Sequence, residues 1–177
     1  GAQTRQAGAC SAAVTAESRD RYGNSSAVTA DTAVALSASP SAGFAFYSDP
    51  GCAAAATTRT ITAGSSTTSF YFKGTVPGSV TVTAAVSGWS PSPAQPETVI
   101  PAAADHLVFT TGTQTLAAGT CSGAVTVESR DQYGNTSAVT ADTAVALSAS
   151  PSAGFAFYSD PGCTAAVGSA TIANGGS

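Results

Sequence analysis

The chain has 177 residues, only 9% of them charged, a formal net charge of −4 and Lys73 as its one lysine. Neutralising phosphates requires clustered Lys and Arg, so this composition excludes nucleic acid and anionic membrane as partners. No apolar run approaches the roughly 20 residues that span a bilayer, and neither a Met nor a signal-peptide pattern is present.

Apolar residues make up 43% of the chain, within the globular range, but most are small, which predicts thin cores rich in Ala and Val. The nonamer "FAFYSDPGC" occurs at Phe44–Cys52 and again at Phe155–Cys163. It belongs to a repeat with an offset of 111 residues, the spacing from Cys10 to Cys121 and from Cys52 to Cys163. About three-quarters of the aligned positions are identical, and self-similarity of this period marks modules strung in an array.

Taken in chain order, the segments read as strands. Phe44 and Phe46 fall on one face of "GFAFYS", followed by a tight Asp49-Pro50-Gly51 turn. "SFYFKG" from Ser69 to Gly74 and "SVTVTAAV" from Ser79 to Val86 alternate in the same way, through Phe70 and Phe72 and through Val80 and Val82. Residues 87–109 read as the exit from one module and the entry to the next, stiffened by Pro residues between Pro91 and Pro101. "HLVFTT" from His106 reads as the first strand of the next module, followed by "AVTVES" (Ala124–Ser129) and "TAVALSAS" (Thr143–Ser150). Their period of two buries one face, and in the second nonamer Phe155 and Phe157 again share a face. Turn signals such as "DRYGN", "SPSAG", "TAGSS" and "VPGS" punctuate the strands, and no sustained apolar stripe has helical spacing. The pattern predicts an all-β chain of tandem immunoglobulin-like β-sandwich domains.

The boundary falls near Ala104, giving one domain over residues 1–104 and another over 105–177. The first has no counterpart of "DHLVFTT" and the second none of "SFYFKG" or "SVTVTAAV". We expect either a piece of a longer array or subunits that complete one another head to tail. A sandwich with a missing edge invites a strand from another chain.

Four cysteines permit three pairings, and the repeat selects the one that gives both copies the same bond: Cys10 to Cys52 and Cys121 to Cys163. Each closes a loop of about 43 residues, for which chain entropy gives about 4 kcal/mol. Such bonds imply an oxidising, extracellular setting, and the absence of close Cys pairs argues against zinc. No catalytic constellation or cofactor motif is present; His106 stands alone, and the acids sit mostly in turns. Asn24 in "NSS" and Asn135 in "NTS" fit the N-glycosylation pattern, with O-linked sugar on the Ser/Thr-rich surface an alternative. Asp20 and Asp131 offer a calcium reading of their turns, against which stands the lack of an Asp-x-Asp-x-Asp ladder. Trp89 with Phe70, Tyr71 and Phe72 offers a sugar-stacking platform, against which alternating Phe in a strand usually means core. The single Lys argues against a Lys–Asn isopeptide cross-link.

Asp131, Tyr133, Gly134 and Asn135 followed by Val145 and Leu147, and Asp20, Tyr22, Gly23 and Asn24 followed by Val34 and Leu36, resemble bacterial immunoglobulin-like domains of invasin and intimin type. The likeness covers nearly the whole chain but rests on a structural turn, and two Cys per repeat depart from most such domains. It implies a rod of tandem domains in an extracellular fibre, adhesin or stalk whose partners are other copies of itself or adjacent repeats. The alternative functions are a glycan- or receptor-binding module and an accessory module of a secreted hydrolase.

Overall fold

Alternating apolar and small polar residues set the strands in a computed structural model that describes residues 1–89 and 94–177, in two compact units, Gly1–Pro101 and Ala102–Ser177. Pro91 and Pro93, part of the expected stiff linker, lie outside the described residues. No helix occurs among the described residues.

The first unit contains β1 (Thr4–Gln6), β2 (Val14–Glu17), β3 (Thr32–Ser39), β4 (Phe44–Tyr47), β5 (Thr58–Ile61), β6 (Thr67–Gly74), β7 (Gly78–Ala85) and β8 (Gln95–Ile100). They form one sheet in the order β1-β8-β7-β3-β5 and a second in the order β2-β6-β4. Val34, Leu36, Ile61 and Val82 of the first sheet and Val14, Phe46, Phe70 and Phe72 of the second close into a single buried cluster, so the unit is a two-sheet sandwich. β6 shows the expected alternation, burying Thr68, Phe70, Phe72 and Gly74. Gly74 is required by close approach: a Cβ there would sit 2.5 Å from Val99 Cγ2. As in immunoglobulin domains, the first strand runs parallel to the last, Thr4 opposite Thr98. The middle strands depart from that scheme: the strand beside β6 precedes, rather than follows, the strand beside β3 in the chain.

Part of the stretch read as a linker is β8, hydrogen-bonded to β7 on one side and β1 on the other. Pro96 fits because the pairing with β1 begins only at Thr98, leaving no ladder donor to lose at the proline.

The second unit contains β9 (His106–Phe109), β10 (Val127–Arg130), β11 (Thr143–Ala146), β12 (Phe157–Tyr158), β13 (Ala166–Val167) and β14 (Ser169–Ile172), in two-stranded sheets β10-β9, β11-β14 and β12-β13. β11 and β14 keep the register of β3 and β5, with Thr143 opposite Ile172 as Thr32 is opposite Ile61. Three expected strands are shorter or shifted. "TAVALSAS" forms an eight-residue strand in the first unit, where its second half pairs with β7, but only four residues of strand in the second. "GFAFYS" yields two residues of strand because the residues that pair with Phe44 and Ala45 belong to β6. "AVTVES" becomes a strand only from Val127, whereas Val14 at the position of Val125 is held by pairing with Phe70. The same sequence thus makes longer strands where a ladder partner adjoins it.

Candidate assembly surface

The repeat places identical residues in two environments. Val14 is 7% exposed and its counterpart Val125 is 57% exposed. Leu36 and Phe46 are buried while Leu147 and Phe157 are half-buried, and Phe155 is 61% exposed where Phe44 packs against the core. In the first unit Phe44 stacks on Phe72 and Phe46 meets Phe70 edge-on. In the second unit Phe155 and Phe157 have each other, ring centroids 5.3 Å apart. The apolar face is therefore encoded in both copies and covered in one.

The backbone edges tell the same story. In the first unit the Ser18 N–H donates to Ser66 O, on the side of β2 that carries β6. In the second unit β9 lies on the opposite edge: Asp105 N–H donates to Arg130 O and Thr110 N–H to Thr126 O, which correspond to Arg19 and Thr15. Adjacent residues of a strand direct their backbone groups to opposite edges. β10 consequently has β9 on one side and, on the other, the edge that β6 occupies on β2.

Each unit is stapled as the repeat predicts. Cys10 and Cys52 are bonded with Cα atoms 5.7 Å apart, Cys121 and Cys163 with Cα atoms 5.9 Å apart, and there are no free cysteines among the described residues. Cys52 and Cys163 take left-handed φ values of 50° and 52°, uncommon for a residue with a Cβ. The turns that hold them are built alike. Asp49 accepts hydrogen bonds from Ala53 N–H and Ala54 N–H, and Asp160 from Thr164 N–H and Ala165 N–H. The bonds from Ala54 and Ala53 hold the Asp49 carboxyl below its ordinary pKa, and those from Ala165 and Thr164 do the same for Asp160.

The Asp-x-Tyr-Gly-Asn turns are closed on themselves. Asp20 accepts from Tyr22 N–H, Asn24 N–H and the Asn24 side-chain amide, and Asp131 repeats this with Tyr133 and Asn135. The Asn24 amide is the main cause of a lowered Asp20 pKa. For Asp131 burial opposes ionisation, and the bonds from Asn135, Ala102 and Tyr133 together outweigh it and lower the pKa. Both carboxylates are thus occupied by protein donors, and no group of three or more His, Cys, Asp or Glu that could hold a metal occurs among the described residues. Asn24 and Asn135 are not free surface amides, since each Nδ2 donates to the turn aspartate.

His106 lies on β9 with Nδ1 3.2 Å from Asp105 Oδ2, and Lys73 Nζ lies 5.1 Å from the Tyr47 ring centroid. Phe70 and Phe72 are core, 1% and 0% exposed, which separates them from Trp89, 47% exposed. A buried acid that the sequence reading placed in a linker is Glu97, 0% exposed on β8, accepting from Gln3 N–H at 2.6 Å. Alternation along Gln95–Ile100, with Glu97 and Val99 inward, was the available signal.

No family model matches the chain, and no curated protein matches it. Among solved structures it is similar to domains 5–6 of the S-layer protein SbsC at 18% identity and a TM-score of 0.39, covering 84% of this chain and 68% of that one. It is also similar to SbsC domains 4–9, at 15% identity and a TM-score of 0.40 over 84% of this chain and 22% of the other. At these TM-scores the likeness assigns nothing to this chain.

Proposed function

We propose that the chain is a structural repeat segment of an extracellular bacterial fibre or adhesin, of the immunoglobulin-like kind that its Asp-x-Tyr-Gly-Asn turns resemble. In this reading the open face of the second unit is covered by strands of a neighbouring copy or adjacent repeat, playing the part that β6, β7 and β8 play in the first. The observation that carries it is the contrast between Val14 and Val125, the same repeat position at 7% and 57% exposure. An exposed apolar face beside an unpaired strand edge is the feature that β-strand addition uses, with main-chain bonds supplying affinity and alternate side-chain pockets supplying specificity. One disulfide per unit, each closing the same loop, suits a durable extracellular part. Electron microscopy of the purified chain tests the reading. Filaments with an axial repeat of one or two domains are expected, whereas monodisperse particles that bind a glycan array would favour a recognition module instead.

A further inference from the structure

The first unit also has an open edge, and the second unit shows what fits it. In the second unit the segment Ala102–Phe109 runs along β10 in the register His106 opposite Arg130, Leu107 opposite Ser129, Val108 opposite Glu128 and Phe109 opposite Val127. Just ahead of β9, Ala102 N–H donates to Asp131 Oδ2 at 2.9 Å and Ser137 Oγ donates to Ala102 O at 2.6 Å. Asp131 and Ser137 are 0% and 3% exposed. Their counterparts Asp20 and Ser26 are both exposed, and β2 is the edge strand of its sheet.

Along that edge of the first unit runs a depression in two parts. One, of about 550 Å³, is bounded by Asp20, Arg21, Ser26 and Trp89. The other, of about 860 Å³, has an apolar wall that includes Val14, Val34, Ile61, Phe70 and Val82. The parts share Ser18, Arg19 and Trp89, and so follow the course that Ala102–Phe109 takes along β10.

We propose that this depression receives the Ala102–Phe109 segment of a second copy of the chain. Carrying the register across the repeat sets Phe109 opposite Ala16, Leu107 opposite Ser18 and His106 opposite Arg19, with Ala102 between Asp20 and Ser26. Opposed residues in a ladder share a face. Ala16 packs against the core and Ser18 is buried, so Leu107 and Phe109 enter the apolar part. Those two side chains are 43% and 74% exposed on β9, an apolar pair awaiting cover. The incoming segment leaves β10 and meets like backbone groups on β2, so the gain is the burial of Leu107 and Phe109. Donor and acceptor are different surfaces of one chain, so the contact is heterologous, and it extends head to tail where it does not close on itself. The proposal rests on the structural-repeat reading and names its joint.

A peptide Ala-Ala-Ala-Asp-His-Leu-Val-Phe, titrated into the full chain, tests it through Trp89, the one tryptophan. A saturable blue shift of Trp89 emission is expected, and a peptide with Ser in place of Leu107 and Phe109 should bind at least about tenfold more weakly. In sedimentation velocity the chain should self-associate with concentration. The L107S/F109S chain, altered only at exposed positions, should stay monomeric, and the peptide should dissolve the oligomers of the unaltered chain. Unmoved Trp89 emission, unchanged association of the double variant, or peptide binding by a chain that remains monomeric overturns the proposal. Filaments that persist in the double variant remove this joint and leave the structural-repeat reading standing. If the peptide binds and copies associate but no filament forms, the structural-repeat reading falls and the docking stands.

Discussion

Val14→Ala and Val125→Ala make the same change at the same repeat position, and should differ in cost. Each removes two methyl-sized groups, for which transfer contributes about 0.8 kcal/mol apiece when fully buried. At 7% exposure Val14 loses nearly all of that, about 1.5 kcal/mol, and a residual cavity between Phe70, Val34 and Ile61 adds about 1 kcal/mol. At 57% exposure Val125 loses less than half the transfer contribution and leaves no enclosed void, about 0.7 kcal/mol at most. The difference of about 2 kcal/mol is roughly a 30-fold change in an unfolding equilibrium. Urea unfolding followed by Trp89 fluorescence reads the first unit alone, and hydrogen exchange of peptides spanning residues 124–147 reads the second. In conditions that assemble the chain, Val125→Ala should become as costly as Val14→Ala, since the second face is then covered. Val125→Ala costing the isolated chain as much as Val14→Ala would refute the idea that identical copies differ by cover alone.

Replacing Cys10 and Cys52 together by Ser should lower the stability of the first unit by about 4 kcal/mol, the loop-closure value for the 42-residue separation, measured as a shift in the Trp89 unfolding midpoint. Gly74→Ala should cost about 1–3 kcal/mol, because its Cβ would meet Val99 Cγ2 at 2.5 Å and Phe44 Cδ2 at 3.3 Å; an unchanged midpoint would show that Val99 moves aside freely. Acid should destabilise both units. Asp20, Asp49, Asp131 and Asp160 have folded pKa values below their ordinary ones, so their stabilisation is present above about pH 4 and is lost as pH falls through the folded values. Asp49→Asn should flatten that acid limb for the first unit, and an unaltered pH profile would mean that the Ala53 and Ala54 bonds do not persist in solution.

The elements most legible in the sequence were those whose signal is local. The Asp49-Pro50-Gly51-Cys52 turn and its copy form with nearly the same φ at both cysteines despite different burial, because the Asp carboxylate and two following N–H groups suffice to make them. The pairing of the cysteines followed from the repeat itself. Strand length was less legible, since alternation says which face is apolar but not whether a partner adjoins the edge. Val125, Leu147 and Phe155 carry the same pattern as their buried counterparts, and only the ladder with β6 and β7 separates the two outcomes. β8 was hidden by Pro96 and by the prolines around it, although Glu97 and Val99 already marked an inward face. The depression beside β2 had no signature within Gly1–Pro101; its lining residues come from distant strands and the loop at Trp89. Leu107 and Phe109 were visible as a strand, but alternation alone does not say whether other strands cover that face, and on β9 both are exposed.

The parallel pairing of β1 with β8 has a mechanical consequence. Because these are the first and last strands of the unit and run in the same direction, a pull applied through its two ends slides one along the other. Their hydrogen bonds are then loaded together in shear instead of being peeled open one at a time. Should that ladder slip, the Cys10–Cys52 bond keeps the intervening loop from paying out, so the force bypasses β2, β3 and β4. The unit would lengthen only through the chain outside that loop, and its tether would stay closed until the covalent bond itself is reduced.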